Sequence, residues 1–166
     1  MQTDQSPTRN ENAQPHILIA EDEPVFRRVI IFTLQRQGFQ VTATVNGAEA
    51  WKQLQSHSFD ALVTDHQMPG GNGIELLENL RTTNLLGRLP TILCTAKGFE
   101  LDASYLIDRF RLITILHKPF SPQRLAALLR EHCLQNKPDH PAIPASGNSV
   151  AASNPGVDAS SQGVIA

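Results

Sequence analysis

The sequence predicts a single α/β domain, built as a doubly wound, five-stranded parallel sheet with helices on both faces. Short apolar runs alternate with helical patterns between residues 15 and 135. Several of these runs are continuous and rich in β-branched residues, as strands buried on both faces are. Acidic and other polar residues follow the ends of the runs, which is where open parallel sheets bind their ligands.

The strands come from short apolar runs. They are predicted at residues 16–20, 39–45, 60–64, 89–95 and 113–117. The first reads HILIA and is apolar throughout most of its length, as is typical of a buried strand. Residues 39–45 instead alternate apolar and polar side chains, which predicts an edge strand with one face in water.

The helices follow the strands and carry their own start and stop signals. They are predicted at residues 23–37, 47–56, 74–84 and 100–109, with a last helix after Ser121. Pro24 stands in the first turn of the first helix, and Gly38 comes just beyond its end. In that helix Val25, Val29 and Phe32 form one apolar stripe, the pattern of a helix that turns this stripe to the core.

The two ends of the chain differ in composition from the middle. Residues 1–14 are polar, and residues 136–166 are rich in Pro, Ala, Ser and Gly. Neither segment can bury enough apolar surface to offset the entropy lost on ordering, so both are predicted to be disordered. The folded unit is therefore predicted to be residues 15–135.

Charge and hydropathy exclude several classes of function. The chain carries 14 Lys and Arg against 16 Asp and Glu, with a pI near 6.3. This balance lacks a basic field for nucleic acid, so no direct nucleic-acid partner is predicted. No run approaches the ~20 apolar residues that span a bilayer, which predicts a cytoplasmic protein without membrane contact. Cys94 and Cys133 lack metal-ligand spacing and are expected to remain thiols.

Chemically active side chains stand at the ends of four predicted strands. They are Glu21 and Asp22, Asp65, Thr95, and Lys118. Three carboxylates brought close together repel one another, and a divalent cation is the usual way to hold them ionised. Hard oxygen ligands favour Mg²⁺, which also takes phosphate oxygens as ligands. Together with a lysine and a hydroxyl, this set is suited to hold a phosphoryl group.

Asp65 is the best candidate for a nucleophile. It follows the central strand, between the acidic pair on one side and Thr95 and Lys118 on the other. Its carboxylate would attack phosphorus to give an acyl phosphate. The metal and Lys118 would offset charge on the transferring group, and Thr95 would donate a hydrogen bond.

At these residues the chain resembles the response-regulator receiver family. The matching segments are residues 17–24 (ILIAEDEP), 65–73 (DHQMPGGNG), 90–96 (PTILCTA) and 117–120 (HKPF). The resemblance implies a flavodoxin-like sheet with strand order 2-1-3-4-5. It also implies that the Lys118–Pro119 peptide bond is cis.

The resemblance assigns a role to each site residue. Asp65 corresponds to the phosphoacceptor and Asp22 to a direct Mg²⁺ ligand, while Glu21 acts mostly through water and Gln67 offers its backbone carbonyl. Thr95 corresponds to the switch hydroxyl, and Lys118 to the lysine that pairs with the phosphoryl group.

Four positions depart from the family pattern or vary within it. Ile115 stands where the family usually carries a switch aromatic, and Asn72 replaces an aspartate in the loop after Asp65. Gln67 and Lys97 occupy positions at which the family tunes the lifetime of the acyl phosphate.

The resulting hypothesis is a stand-alone receiver that takes a phosphoryl group from a sensor histidine kinase or a histidine phosphotransfer protein. It would signal through contacts with a downstream protein target and would not be an enzyme with a separate substrate. The alternative is a phosphorelay intermediate or phosphate sink without a state-dependent target. A phosphatase of the haloacid dehalogenase type is disfavoured, because Gln67 stands where that class needs a second aspartate.

Overall fold

The computed structural model describes residues 14–83, 87–96 and 102–135. The strands are β1 (His16–Ala20), β2 (Gln40–Thr44), β3 (Ala61–Asp65), β4 (Thr91–Ala96) and β5 (Thr114–Lys118). The helices are α1 (Pro24–Arg36), α2 (Gly47–Ser56), α3 (Gly73–Thr82), α4 (Ala103–Phe110) and α5 (Pro122–Gln135). Strands and helices therefore alternate along the chain, as the sequence predicts.

The strands form one parallel sheet in the order β2-β1-β3-β4-β5. This order confirms the predicted doubly wound, flavodoxin-like α/β fold. The chain runs outward from β1 to β2 and then crosses back to β3, so the strand order reverses between β1 and β3. A reversal of this kind opens a crevice outside the carboxyl ends of the strands, which places the ligand site there.

Two apolar layers cover the sheet, one on each face. The first layer packs α1 and α5 against the sheet through Ile30, Leu34, Leu125 and Leu129. The second packs α2, α3 and α4 against the other face through Ala50, Leu54, Leu77, Leu80, Leu106 and Phe110. Successive side chains of a strand point to opposite faces, so β1 contributes alternate residues to both layers. The predicted burial of β1 on both faces is thereby confirmed.

The outward face of α1 shows that one sequence prediction was wrong. Val25, Val29 and Phe32, predicted to form the core-facing stripe, are 69%, 45% and 59% exposed. Ile30 and Leu34 are buried instead. Apolar residues occupy most of the circumference of this helix, so periodicity alone does not choose the buried face. We call the exposed set Val25, Val29 and Phe32 the α1 strip.

The ends of some elements differ from the prediction by a residue or two, as is common for element boundaries. β3 includes Asp65 as its last residue. β2 ends at Thr44, which is buried and whose hydroxyl donates a hydrogen bond to the carbonyl of Ile19 at 3.1 Å. Val45, the last apolar residue of the predicted strand 39–45, lies beyond β2 and is exposed. Asn84, Lys97, Glu100 and the terminal segments 1–13 and 136–166 lie outside the described residues.

Both cysteines are unpaired thiols. Cys94 is buried in β4 and contributes to the layer under α1 and α5. Burial raises the pKa of the Cys94 thiol, and it raises the pKa of Cys133 to about 12. Protonated, enclosed thiols are poor nucleophiles, so packing is the role that the structure gives Cys94.

Candidate functional site

The predicted site residues all lie at the carboxyl edge of the sheet. Glu21 and Asp22 follow β1 directly, and Asp65 is the last residue of β3. Thr95 pairs with His117 across β4 and β5, and Lys118 is the last residue of β5. Because parallel strands end at the same edge, side chains far apart in sequence reach one crevice.

Three carboxylates converge in this crevice. Each of Glu21, Asp22 and Asp65 offers an oxygen, and these atoms all lie within 4.8 Å of one another. Glu21 and Asp65 are buried, at 2% and 8% exposure, while Asp22 is partly exposed. The group contains only hard carboxylate oxygens, the donors that Mg²⁺ prefers. The donor set therefore fits the metal ion that the sequence predicts.

Lys118 binds two of these carboxylates at once. Its Nζ donates to Glu21 Oε1 at 3.0 Å, to Glu21 Oε2 at 2.7 Å and to Asp65 Oδ2 at 2.5 Å. The ammonium thus bridges the ends of β1 and β3 from the end of β5. Three carboxylates and one ammonium, if all are ionised, leave two negative charges, which a single divalent cation would neutralise.

Burial and ion pairing oppose each other at these groups. Burial raises the pKa of Glu21 above its ordinary value, although the hydrogen bonds from Lys118 pull it down. Burial alone would lower the pKa of Lys118, but its hydrogen bonds to Asp65 and Glu21 outweigh this and raise it. Lys118 is therefore a cation at neutral pH, and burial makes the ionised form of Glu21 less favourable than it is in water.

Thr95 supplies a hydroxyl that has no partner in the described part of the chain. The residue is fully buried, and its Oγ1 makes no hydrogen bond there. An unsatisfied buried polar atom costs about 1–3 kcal/mol and calls for an explanation. A ligand oxygen in the crevice would provide the missing partner, which fits the predicted hydroxyl donor.

The acid pair and Glu23 have separate duties. Glu23 is the N-cap of α1, and its carboxylate accepts hydrogen bonds from the backbone N–H of Val25 and Phe26 at 3.0 and 2.5 Å. The backbone N–H of Glu23 donates to Glu21 Oε1 at 3.2 Å. Capping is therefore done by Glu23, so Glu21 and Asp22 are left to face the crevice.

The loop after Asp65 is held tightly against the strand. A Cβ at Gly73 would lie 2.2 Å from the carbonyl oxygen of Asp65, so only glycine fits there. Asn72 forms a capping box with Glu75 at the start of α3, which gives this departure from the family pattern a structural role. Gln67 is exposed in this loop, and its backbone carbonyl as a metal ligand stays a prediction.

Two contacts at the site were missed by sequence reasoning. Arg27 Nη1 donates to the backbone carbonyls of Glu21 at 2.7 Å and Asp22 at 3.0 Å. The ring of Phe26 lies 5.0 Å from Lys118 Nζ. Both residues follow the acid pair closely in sequence, but periodicity carries no signal for such contacts.

The strand that carries Lys118 also tests two expectations. The Lys118–Pro119 peptide bond is cis, as the resemblance implies. Ile115 is buried in the same apolar cluster as Leu93 and Leu106. The position of the usual switch aromatic is thus filled by an aliphatic side chain that packs towards α4.

A parallel sheet of this order, with an acidic cluster and a lysine at its switch point, defines a receiver-type α/β domain. The family model for the response regulator receiver domain matches residues 17–130. The chain belongs to this family, the receiver domains of two-component response regulators. Partners of such domains are histidine kinases or phosphotransfer proteins.

Similar proteins agree with this assignment. The chain is 34% identical over 117 residues to the probable transcriptional regulator ycf29 of Porphyra purpurea, covering 69% of this chain and 54% of the relative. It is 32% identical over 111 residues to the chemotaxis protein CheY1 of Helicobacter pylori, covering 66% of this chain and 89% of the relative. The chain thus spans about half the length of the first relative.

Solved structures agree as well. The Francisella response regulator 1452 receiver domain superposes with a TM-score of 0.68 at 25% identity, covering 74% of this chain and 98% of that one. The receiver domain of sensor histidine kinase PA1611 from Pseudomonas aeruginosa has a magnesium ion coordinated in its active site cleft. It gives a TM-score of 0.64 at 26% identity, covering 73% of this chain and 98% of that one.

In the described part of this chain, no helix has the length and apolar character needed to cross a membrane.

Proposed function

We propose that this receiver accepts a phosphoryl group on Asp65 in a Mg²⁺-dependent reaction and acts as a signalling switch. The observation that carries the proposal is the arrangement of Lys118, which donates to both Glu21 and Asp65 inside the acidic cluster. A lysine and clustered carboxylates at a switch point are equipped to hold a metal ion and a phosphoryl group together.

In the proposed reaction, an oxygen of Asp65 forms a bond to phosphorus. The bond between phosphorus and the donor's imidazole nitrogen breaks, and that nitrogen keeps the electron pair. Lys118 would then exchange a carboxylate contact for a phosphoryl oxygen, and the Thr95 hydroxyl would donate to another such oxygen. The product is an acyl phosphate.

The metal would be held by the acidic cluster. We assign Asp22 and Asp65 as direct ligands, Glu21 as a ligand through water, and Gln67 as a ligand through its backbone carbonyl. When bound, Mg²⁺ would neutralise charge on the phosphoryl oxygens and on the crowded carboxylates.

The direct test is labelling by acetyl phosphate. Wild-type protein is incubated with this donor, with Mg²⁺ or with a chelator, and intact mass and peptide mapping report the extent and place of labelling. One phosphoryl group per chain on Asp65, formed only with Mg²⁺, is the expected result. Labelling of another residue, or equal labelling with the chelator, would contradict the proposal.

The exposure of the α1 strip favours a protein as the natural phosphoryl donor. Its first residue, Val25, lies in the first turn of α1, three positions after Asp22, so a protein covering the strip would also reach the crevice. Exposed apolar residues gathered on one face are typical of an interaction site. We infer that a histidine kinase or histidine phosphotransfer protein contacts the strip when it delivers its phosphoryl group.

A matched pair of reactions tests this contact. The variant Phe32→Ser should slow transfer from a histidine phosphotransfer donor of the same cell, because the strip loses an exposed apolar side chain. Labelling of the same variant by acetyl phosphate should equal that of wild type, since a small donor needs no docking surface. Equal slowing in both reactions would instead indicate damage to the site.

A second candidate function rests on Ile115. A buried aliphatic side chain cannot swing between an exposed and a buried position as an aromatic ring would. This favours a phosphorelay intermediate or phosphate sink over a receiver with a state-dependent target. The lifetime of the acyl phosphate and phosphorylation-dependent binding separate the two. A long-lived phosphorylated form that gains a protein partner would support the switch and would exclude the sink.

A further inference from the structure

Lys118 is in contact with an aromatic ring as well as with acids. Its Nζ lies over the ring of Phe26, 5.0 Å from the ring centroid. Phe26 belongs to the first turn of α1 and is partly buried. Its ring in turn meets that of Phe120 edge to face, with centroids 5.1 Å apart and an interplanar angle of 76°. The ammonium is therefore held between two carboxylates and a supported ring face.

The geometry of this contact is favourable for a cation. Ammonium groups within about 6 Å of a ring centroid are attracted by the negative face of the ring. The side chain of Lys118 retains 22% of its exposure, so it has a route towards solvent. The ammonium thus contacts the Phe26 ring in addition to Glu21 and Asp65. Without the ring, only the acids would keep Lys118 in the crevice.

We propose that Phe26 is a positioning residue for Lys118: its ring, supported by Phe120, directs the ammonium towards Glu21 and Asp65. The effect on the rate of labelling rests on the proposed phosphoryl-acceptor function. A Lys118 side chain that is not held in place would neutralise the incoming phosphoryl group more slowly. The positioning itself does not depend on phosphorylation. Phe26 thus serves the site by way of Lys118 and touches no reacting atom.

Simple packing is the competing explanation for Phe26. The ring lies against the apolar layer under α1 and α5, where a leucine would also fill space. The two explanations differ in what replaces the ring. Phe26→Leu keeps an apolar side chain but removes the ring face, whereas Phe26→Tyr keeps both. Positioning predicts that Tyr restores the wild-type behaviour and Leu does not, but packing predicts that both variants behave alike.

The first measurement is an NMR spectrum of the protein without donor or metal. Protons over a ring face are shifted upfield, so the ε-methylene protons of Lys118 should lie upfield of those of an exposed lysine such as Lys52. The upfield shift in wild type and in Phe26→Tyr would show that the ring lies against Lys118. The ¹⁵N order parameter of the Lys118 ammonium, which does not depend on a ring current, should fall in Phe26→Leu and keep its wild-type value in Phe26→Tyr. An unshifted Lys118 in wild type, or an ammonium order parameter in Phe26→Leu equal to that of wild type, would overturn the proposal.

The second measurement is the rate of labelling by acetyl phosphate at saturating Mg²⁺. Phe26→Leu should be slower than wild type by about twofold to fivefold, the range expected for losing one partly exposed cation–π contact. Phe26→Tyr should match wild type. Tyr105→Leu is the control, because it removes a ring that faces Arg109 on α4, at 5.7 Å.

The two measurements separate this inference from the proposed function. If wild type takes no label while the Lys118 ammonium becomes more mobile in Phe26→Leu only, the phosphoryl-acceptor proposal fails and the positioning stands. If labelling proceeds normally in Phe26→Leu, or slows equally in Phe26→Tyr, the kinetic role of the ring is wrong.

Discussion

Two ion-pair clusters of this protein use the same chemistry in different surroundings. The rim cluster consists of Glu21, Asp65 and Lys118, at the carboxyl edge of the sheet. The helix cluster consists of Glu78, Arg81 and Arg109, on the surface of α3 and α4. The Glu21 side chain is 3% exposed, whereas that of Glu78 is 33% exposed. Burial is thus the main difference between the two glutamates.

The pKa values of the two glutamates shift in opposite directions. Burial raises the pKa of Glu21 despite two hydrogen bonds from Lys118. Hydrogen bonds from Arg109 lower the pKa of Glu78. Water still solvates that carboxylate, so burial opposes this shift less than it does at Glu21. Charges in a low-dielectric crevice act strongly on one another and on a ligand, whereas surface pairs are screened. An ion pair therefore indicates function only when its burial is also known.

The largest expected effect is on labelling, when the proposed nucleophile of the rim cluster is replaced. Asp65→Asn should abolish labelling by acetyl phosphate and Mg²⁺, because an amide does not attack phosphorus as a carboxylate does. The amide oxygen can still accept from Lys118, so the variant should keep its fold by circular dichroism. Glu78→Gln, in the helix cluster, is the matched control and should label normally. Stoichiometric labelling of Asp65→Asn would show that the acceptor is another residue.

The next effect comes from removing the cation. Lys118→Ala should still take some label but should lose any conformational change that follows it. Without metal, its free energy of unfolding should fall by about 1–3 kcal/mol, because the buried Glu21 loses both hydrogen bonds from Lys118 and keeps only the one from the Glu23 backbone N–H. Arg109→Ala should cost less stability. Urea unfolding and NMR shifts on phosphorylation check both points, and equal losses in the two variants would remove the contrast between the clusters.

A smaller effect is expected from the backbone that carries the acid pair. Arg27 donates to the carbonyls of Glu21 and Asp22, so Arg27→Ala should loosen this turn and weaken Mg²⁺ binding by about tenfold. Arg28→Ala, an exposed neighbour, should bind the ion as wild type does. Titration calorimetry with Mg²⁺ measures both affinities. Unchanged Mg²⁺ affinity in Arg27→Ala would show that the turn keeps its conformation without Arg27.

Much of the fold was predictable, because its signals are local. Apolar runs marked the strands, and Pro24 and Gly38 marked the start and the end of α1. The buried face of α1 was not predictable, since Val25 and Ile30 are equally apolar and only packing against α5 and the sheet separates them. Periodicity describes a helix by itself, whereas burial depends on its neighbours.

The candidate site was predictable as a set of positions and not as a set of contacts. Parallel strands end at one edge, so Asp22, Asp65 and Lys118 had to approach one another once the sheet was assumed. The double contact of Lys118, and its ring partner Phe26, depend on side-chain conformations that no sequence pattern fixes.

The smallest expected effect lies in the helix cluster and concerns pH. Glu78 has a pKa below the ordinary 4.5, so its pairing stabilises the fold above that pH and is lost as pH falls through the lowered value. Glu78→Gln should therefore be slightly less stable than wild type near neutral pH, and the difference should vanish in acid. The rim cluster is unchanged by this substitution, so its contribution cancels from the difference. Urea midpoints measured from neutral pH down to about pH 3 test this, with Glu131→Gln on α5 as the exposed control. A difference that grows in acid would mean that the pairing with Arg109 does not stabilise the fold.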